Sequence, residues 1–291
     1  MSDVTEYLRR GVDRDARRKQ LDENLRHKGG PMIEITDLVK SYGSRQVLKG
    51  INMHVNPGEV VVVMGPSGCG KSSLLRCIIG AQPYNSGQIL IDGQDVGTAN
   101  EVRLNRVRRK FGVLFQSAAL FNSLSVGENV ALPIRFHTEL PDSTIEIMVR
   151  LKLELVGLRD SYLQTPAQLS GGQKKRVGLA RAIALDPDIV FYDEPSAGLD
   201  PIVIGAVDKL IVDLGHSLNI TSVVITHEMH SAMRIADRIY MVYDGRIVAH
   251  GTPEEMQQSD DPIVEQFLSG NAEGPIAPPA VSGQFIDSLI S

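Results

Sequence analysis

Eight consecutive residues, Gly65-Pro66-Ser67-Gly68-Cys69-Gly70-Lys71-Ser72, combine three glycines with one cation and two hydroxyls. Such a set suits anionic oxygens. Gly68 and Gly70 let the backbone curl so that successive N–H groups point inward, which side chains larger than hydrogen would obstruct. The apolar run Val60-Val61-Val62-Val63-Met64 enters the loop, and Ser73-Leu74-Leu75-Arg76-Cys77-Ile78-Ile79 leaves it. Strand, glycine turn and helix in that order make G-x-x-x-x-G-K-[ST] a nucleotide site rather than a chance turn. Phosphates are expected on the helix N-terminus, with Lys71 reaching the β- and γ-phosphates and Ser72 ligating Mg²⁺.

Three further constellations lie downstream. Ile189-Val190-Phe191-Tyr192-Asp193-Glu194 is an apolar strand ending in two carboxylates. Strand side chains alternate, so Asp193 and Glu194 are expected to point different ways and to do different work. Asp193 suits the Mg²⁺ shell beside Ser72, and Glu194 suits a base that polarises attacking water. Without the phosphate loop, two acids would mark only a solvated strand end. Thr221-Ser222-Val223-Val224-Ile225-Thr226-His227 places His227 where a parallel sheet faces its ligand crevice, a position for a γ-phosphate contact. His137, His230 and His250 read as structural or surface residues. Ser170-Gly171-Gly172-Gln173 opens a helix expected to run to Asp186-Pro187. A serine cap followed by two glycines leaves N–H groups along the helix dipole, a second anion-binding end in the same chain.

The elements around these residues fall into blocks. Residues 1–31 interleave Arg9, Arg10, Arg14, Arg17, Arg18 and Lys19 with Asp13, Asp15, Asp22 and Glu23. They read as a solvated extension, with contact to anionic lipid headgroups as the alternative. From Met32 come short strands, Met32 to Ile35, Val47-Leu48, Ile51 to Val55 and Gln88 to Ile91, in an antiparallel arrangement. Residues of about 100–180 turn helical around one strand, Phe111 to Phe115. Arg103, Arg106, Arg108, Arg109 and Lys110 before it read as a solvated helix face. Ile145, Met148, Val149, Leu151 and Leu155 mark one apolar helix face, stopped at Gly157. Asp244-Gly245 signals a closing hairpin. Residues 268–291 form a linker-like tail in which Phe285, Ile286, Leu289 and Ile290 share a helical face, fit for another subunit or for its own core.

Composition narrows the classes. The chain has 291 residues, a net charge of −5 and two cysteines. No stretch approaches the ~20 apolar residues of a membrane span. An acidic balance argues against a nucleic-acid binder, and Cys69 and Cys77 read as reduced thiols.

With the phosphate loop, Gln116, Leu169-Ser170-Gly171-Gly172-Gln173, Asp193-Glu194, Ser196-Ala197-Gly198-Leu199-Asp200 and His227 in order, residues 32–267 resemble an ABC-transporter ATPase subunit. The resemblance implies an α/β fold with a RecA-like parallel-sheet core, an antiparallel β subdomain and a helical subdomain. It implies ATP and Mg²⁺ as cofactors. Gly65, Pro66, Ser67, Gly68, Cys69, Gly70, Lys71, Ser72 and Ser73 would hold the nucleotide, with Tyr42 stacking on adenine. Gln116 would be the lid-loop glutamine contacting Mg²⁺ or water, and Asp200 would close the loop after Glu194. Lys71, Gln116, Glu194 and His227 would form the catalytic set, with Ser72, Gln116 and Asp193 toward the metal. Ser170, Gly171, Gly172 and Gln173 would face the ATP held by a second copy, in a head-to-tail homodimer.

Within that superfamily, Phe115-Gln116-Ser117-Ala118-Ala119-Leu120-Phe121, Val130-Ala131-Leu132-Pro133, His137-Thr138-Glu139-Leu140-Pro141 and Asp261-Pro262-Ile263-Val264-Glu265-Gln266-Phe267-Leu268 look like the ATPase of MCE-associated phospholipid transporters, of the type that maintains outer-membrane lipid asymmetry. This implies integral-membrane permease subunits, an MCE-domain lipid-binding protein, in some members a small STAS-domain subunit, and a place on the cytoplasmic face of the inner membrane. The motor motifs would equally serve an importer of polar solutes such as amino acids. A soluble ABC protein of DNA repair or translation would carry coiled-coil insertions or two cassettes in one chain, and this chain shows neither.

Overall fold

The structure, a computed structural model, describes residues 30–276 together with Leu21. The charged N-terminal extension and the apolar face at 285–290 lie outside the described residues. Strands β1 (Ile33–Tyr42) and β2 (Arg45–Val55) form a long hairpin. The expected short strands are thus fused: register shifts between Ile35 and Leu38, and between Lys40 and Ser41, absorb the irregular residues and let pairing continue. Tyr42 therefore ends a strand, paired with Arg45, instead of lying between two.

Strand β3 (Val60–Met64) is buried along its whole length. It leads through the glycine loop into helix α1 (Lys71–Ile78). Strands β4 (Ser86–Ile91) and β5 (Gln94–Asp95) complete an antiparallel sheet of order β2-β1-β4-β5. Helix α2 (Glu101–Arg108) and strand β6 (Phe111–Leu114) follow. The basic cluster here is only partly a solvated face, because Arg108 donates to Gly80 O at 2.9 Å and Lys110 pairs with Asp92.

Helices α3 (Val126–His137) and α4 (Asp142–Leu155) come next. A reciprocal Ser125–Glu128 capping box starts α3. On α4 the buried line is Ile145, Val149 and Leu153, spaced i, i+4, i+8, while Leu151 and Leu155 point outward. That corrects the wider face expected from the sequence. Helix α5 (Gly171–Ala182) ends four residues earlier than expected, and Asp186 turns the chain with φ +52°.

Then β7 (Ile189–Asp193), α6 (Pro201–Ser217), β8 (Thr221–Thr226), α7 (Met229–Ile235), β9 (Arg238–Tyr243) and β10 (Arg246–Gly251) alternate, followed by α8 (Pro253–Gln257) and α9 (Pro262–Ser269). The second sheet has the order β10-β9-β3-β8-β7-β6, parallel throughout except for the β9–β10 hairpin at its edge. Apolar residues cover both faces, as a parallel sheet requires. Val60, Val62 and Met64 pack into a core shared with α3, α4 and α5; Val61 and Val63 pack into another with α1 and the antiparallel sheet. Each buried valine contributes roughly 1.5–3 kcal/mol. Helices α1 and α5, the two that begin at glycine-rich motifs, thus lie on opposite faces. Among the described residues, no helix is long and apolar enough to cross a membrane.

Candidate active site

Four neighbouring parallel strands, β3, β8, β7 and β6, end level with one another: Met64 pairs with Thr226, Ile225 with Asp193, and Tyr192 with Leu114. The residues just beyond their C-terminal ends are Gly65, His227, Glu194 and, two further on, Gln116. This is the edge at which open α/β sheets take ligands. One sheet edge therefore gathers residues spread over more than half of the chain.

The glycine loop has a backbone only partly anticipated. Gly65, with φ +147°, lies so close to β9 that a Cβ would meet Val242 O at 2.1 Å. At Gly70, with φ +115°, a Cβ would meet Leu48 at 2.9 Å. Neither position accepts another residue, and the role of Gly65 in seating the loop on β9 was not visible in the motif. Gly70 caps α1 without any side-chain cap bond, which leaves the first N–H groups of the helix to an anion. Buried Lys71 turns back into the loop, donating to Gly65 O at 2.7 Å and Pro66 O at 2.9 Å. Cys69 lies buried beside it, and burial pushes its thiol up. Cys77 is also a free thiol.

Glu194 and His227 meet directly. Glu194 Oε2 is 2.9 Å from His227 Nδ1, with the carboxylate side chain 13% exposed and the imidazole 55%. Strand alternation is not what separates Glu194 from Asp193. Strand β7 stops at Asp193, and Glu194 adopts φ +48°, the left-handed region that non-glycine residues seldom occupy. Its N–H donates to Ile225 O at 2.8 Å, which locks the turn to β8.

Asp193 Oδ1 is buried and has no hydrogen-bond partner among the described residues. Burial pushes this carboxyl up, Glu194 adds to the push, and Arg76, Lys175 and Lys71 oppose it. An orphaned carboxylate oxygen near several cations fits a divalent metal ion. No group of three or more His, Cys, Asp or Glu residues gathers among the described residues. The donor set thus matches Mg²⁺, which takes one or two protein oxygens and completes its shell with waters and phosphates.

Tyr42 sits at the rim, its hydroxyl donating to Gln82 Oε1 at 2.7 Å and lying 3.3 Å from Ser73 Oγ. The Lys40 ammonium stands 4.9 Å from its ring centroid. Ser67, Gly68, Ser72, Gln116 and His227 are exposed. The loop after Gln116 has two left-handed alanines, Ala118 and Ala119, whose carbonyls accept from Arg181 at 2.7 Å each.

The second glycine motif stands apart. Ser170 Oγ accepts from Gln173 N at 3.3 Å while Gln173 Oε1 accepts from Ser170 N at 2.9 Å, a reciprocal capping box. Gln173 therefore shapes the helix start with its side chain. Asp200 caps α6, accepting from Ile202 N and Val203 N at 3.1 Å each. Sequence reading missed Lys175, whose ammonium bonds the carbonyls of both Gln116 and Glu194.

The profile of the ABC transporter family matches residues 48–197. The chain is 44% identical over 245 residues to the intermembrane phospholipid transport system ATP-binding protein MlaF of Haemophilus influenzae, spanning 84% of this chain and 93% of that protein. It is 41% identical over 247 residues to a Mycobacterium leprae protein named for ribonucleotide transport, mkl, spanning 85% of this chain and 71% of the other. Among solved structures, the ATP-binding cassette MJ0796, a dimer in a post-hydrolysis state bound to ADP and Pi, superposes with a TM-score of 0.71 and 31% identity, covering 76% of this chain and 99% of that one.

Proposed function

We propose a function from one fixed premise: the chain belongs to the ABC transporter family, and it is an ATP-hydrolysing subunit. The roles assigned to its residues and cargo are our reading. The observation that carries it is Glu194, held by His227 at the sheet edge that also presents the phosphate loop.

In this reading Lys71 exchanges its bonds to Gly65 O and Pro66 O for β- and γ-phosphate oxygens. The N–H groups of residues 65–73 wrap the phosphates, and Tyr42, braced by Gln82, stacks on adenine. Ser72, Gln116 and Asp193 would hold Mg²⁺, which would supply positive charge against the phosphates. Glu194 orients the attacking water and accepts its proton, while His227 fixes the carboxylate and contacts the γ-phosphate. The exposed site needs a lid. Ser170, Gly171 and Gly172 of a second copy supply it, so two chains pair head to tail around two ATP molecules, as the dimeric form of the related cassette supports. Residues 32–267 form the cassette, with a helical subdomain near 100–180.

The cargo is phospholipid. The MlaF name and the 93% span of that relative support this over a polar solute, although the mycobacterial name favours a ribonucleotide. The chain works at the cytoplasmic face of the inner membrane through permease subunits, for which exposed Phe115 and Phe121 offer an apolar seat. An MCE-domain protein is the further partner, and a small STAS-domain subunit joins it in some members of the family. The test is purification from native membranes in mild detergent with mass spectrometry of proteins and lipids. Co-purifying MCE-domain protein and phospholipid are expected; a solute-binding protein without lipid enrichment would overturn the cargo assignment.

A further inference from the structure

Lys175 is 5% exposed and lies in the second turn of α5, the helix that starts at Ser170-Gly171-Gly172. A buried ammonium is costly unless its donors are satisfied. Here Nζ is bonded to Gln116 O and, at 3.0 Å, to Glu194 O. Those carbonyls belong to loops that leave β6 and β7, adjacent strands of the sheet. Burial pushes the ammonium down, and Glu194 and Asp193 pull it back up. Arg181, on the same helix, holds the next stretch of the Gln116 loop through Ala118 O and Ala119 O. Only Lys175 of these two reaches both loops.

We propose that Lys175 is a positioning residue that couples the two ATP sites: it ties Gln116 and Glu194 of one site to the helix whose N-terminus covers the other. The inference rests on the ATPase reading of the site. Helix α5 moves as a rigid rod, so when Ser170 and the two glycines engage the γ-phosphate across the dimer, the ammonium five residues along shifts with them. Both carbonyls follow, because releasing either would leave a buried charge with one fewer partner. Glu194 already sits in a strained backbone conformation, and a small displacement there realigns its carboxylate toward the attacking water. ATP bound at one site thereby sets the geometry of the other.

The test uses the full chain with Lys175→Met, which keeps much of the side-chain length but donates nothing, and Lys175→Arg, which restores donors. Steady-state ATPase rates give kcat, KM and the Hill coefficient, and a fluorescent ATP analogue gives affinity. Lys175→Met should lose about 10²-fold in kcat, the scale of an ångström-sized misplacement, with affinity little changed and the Hill coefficient reduced toward one. Lys175→Arg should recover most of both. A Lys175→Met enzyme with normal kcat and cooperativity would overturn the proposal. So would affinity and kcat falling together, which marks a merely structural lysine. If Lys175→Met does not fold, Lys175→Gln, too short to span both carbonyls, is read by the same criteria. Glu194→Gln is assayed alongside: a normal rate there removes the role of Glu194 on which the coupling is built, whereas a slow Glu194→Gln beside a normal Lys175→Met removes only the coupling.

Discussion

At the scale of single residues, the chemistry turns on how few groups touch at the sheet edge. Glu194 is largely shielded, bonded to His227 Nδ1 and fixed through its own N–H to Ile225 O. Replacing it by glutamine keeps size and shape but removes the proton acceptor. Hydrolysis should fall by about 10²–10⁴-fold, the usual contribution of a general base, while ATP affinity is retained. Single-turnover kinetics beside equilibrium binding will show the split, and an unchanged rate would remove Glu194 from its role. Lys71→Ala should do the opposite and abolish tight ATP binding, because the ammonium is the charge nearest the loop's own carbonyls. Normal affinity in that variant, measured by calorimetry, would contradict the phosphate-loop assignment. These two residues were legible in the sequence because motif spacing and strand ends announce them. Lys175 was not. Its partners are main-chain carbonyls, which leave no trace in residue type, and in a helix already carrying Lys174 and Arg176 it reads as one more solvated cation.

At the scale of elements, a second buried charge holds the helix that follows His227. Asp208 of α6 is fully buried, accepts from Ser231 Oγ and pairs with Arg234 Nη1 at 3.0 Å, both on α7. Burial pushes its carboxyl up, and the Ser231 and Arg234 bonds oppose that push. Asp208→Ala would strand those donors, but the Arg234 side chain is 52% exposed and can rehydrate. The expected loss is therefore the charge-assisted bonds, roughly 2–3 kcal/mol, rather than that of a fully buried orphan charge. A lowered midpoint in denaturant with an unchanged slope would register it, together with a reduced kcat as α7 loosens below His227. A midpoint equal to the parent's would show that the α6–α7 contact holds without the ion pair. Elements bearing strong local signals were readable: β3, β7 and β8 as apolar runs, and β9–β10 from Asp244-Gly245. The length of β1 and β2 was hidden, since bulges carry their pairing past residues that look like turns. The extent of α4's buried face was hidden too, because Leu151 and Leu155 are apolar without being covered.

At the scale of the whole molecule, the two glycine motifs pose a geometric problem that a second copy would solve. Helix α1 packs on one face of the six-stranded sheet and α5 on the other, so each chain offers one phosphate loop and, elsewhere, one Ser-Gly-Gly end. If each ATP lies between a phosphate loop and the partner's Ser170, two differently damaged chains should repair each other. Lys71→Ala loses its own loop but keeps a sound Ser-Gly-Gly end. Ser170→Arg keeps a sound loop but blocks the end it offers. Either variant alone has two defective sites in every dimer. In a mixed dimer both lesions fall in one site, and the other receives an intact loop from one chain and an intact end from the other. With random pairing, half of the dimers are mixed and each has one of two sites whole, so an equimolar mixture should regain roughly a quarter of the parental ATPase rate, provided the sites turn over independently. Any coupling through Lys175 would pull the recovered rate below that fraction, and adding Lys175→Arg to both chains would leave it there. A mixture that neither regains activity nor holds ATP between its two kinds of chain would place the loop and the Ser-Gly-Gly end in the same chain's site and would end the head-to-tail arrangement, whereas ATP held there without turnover would mark complete coupling of the sites.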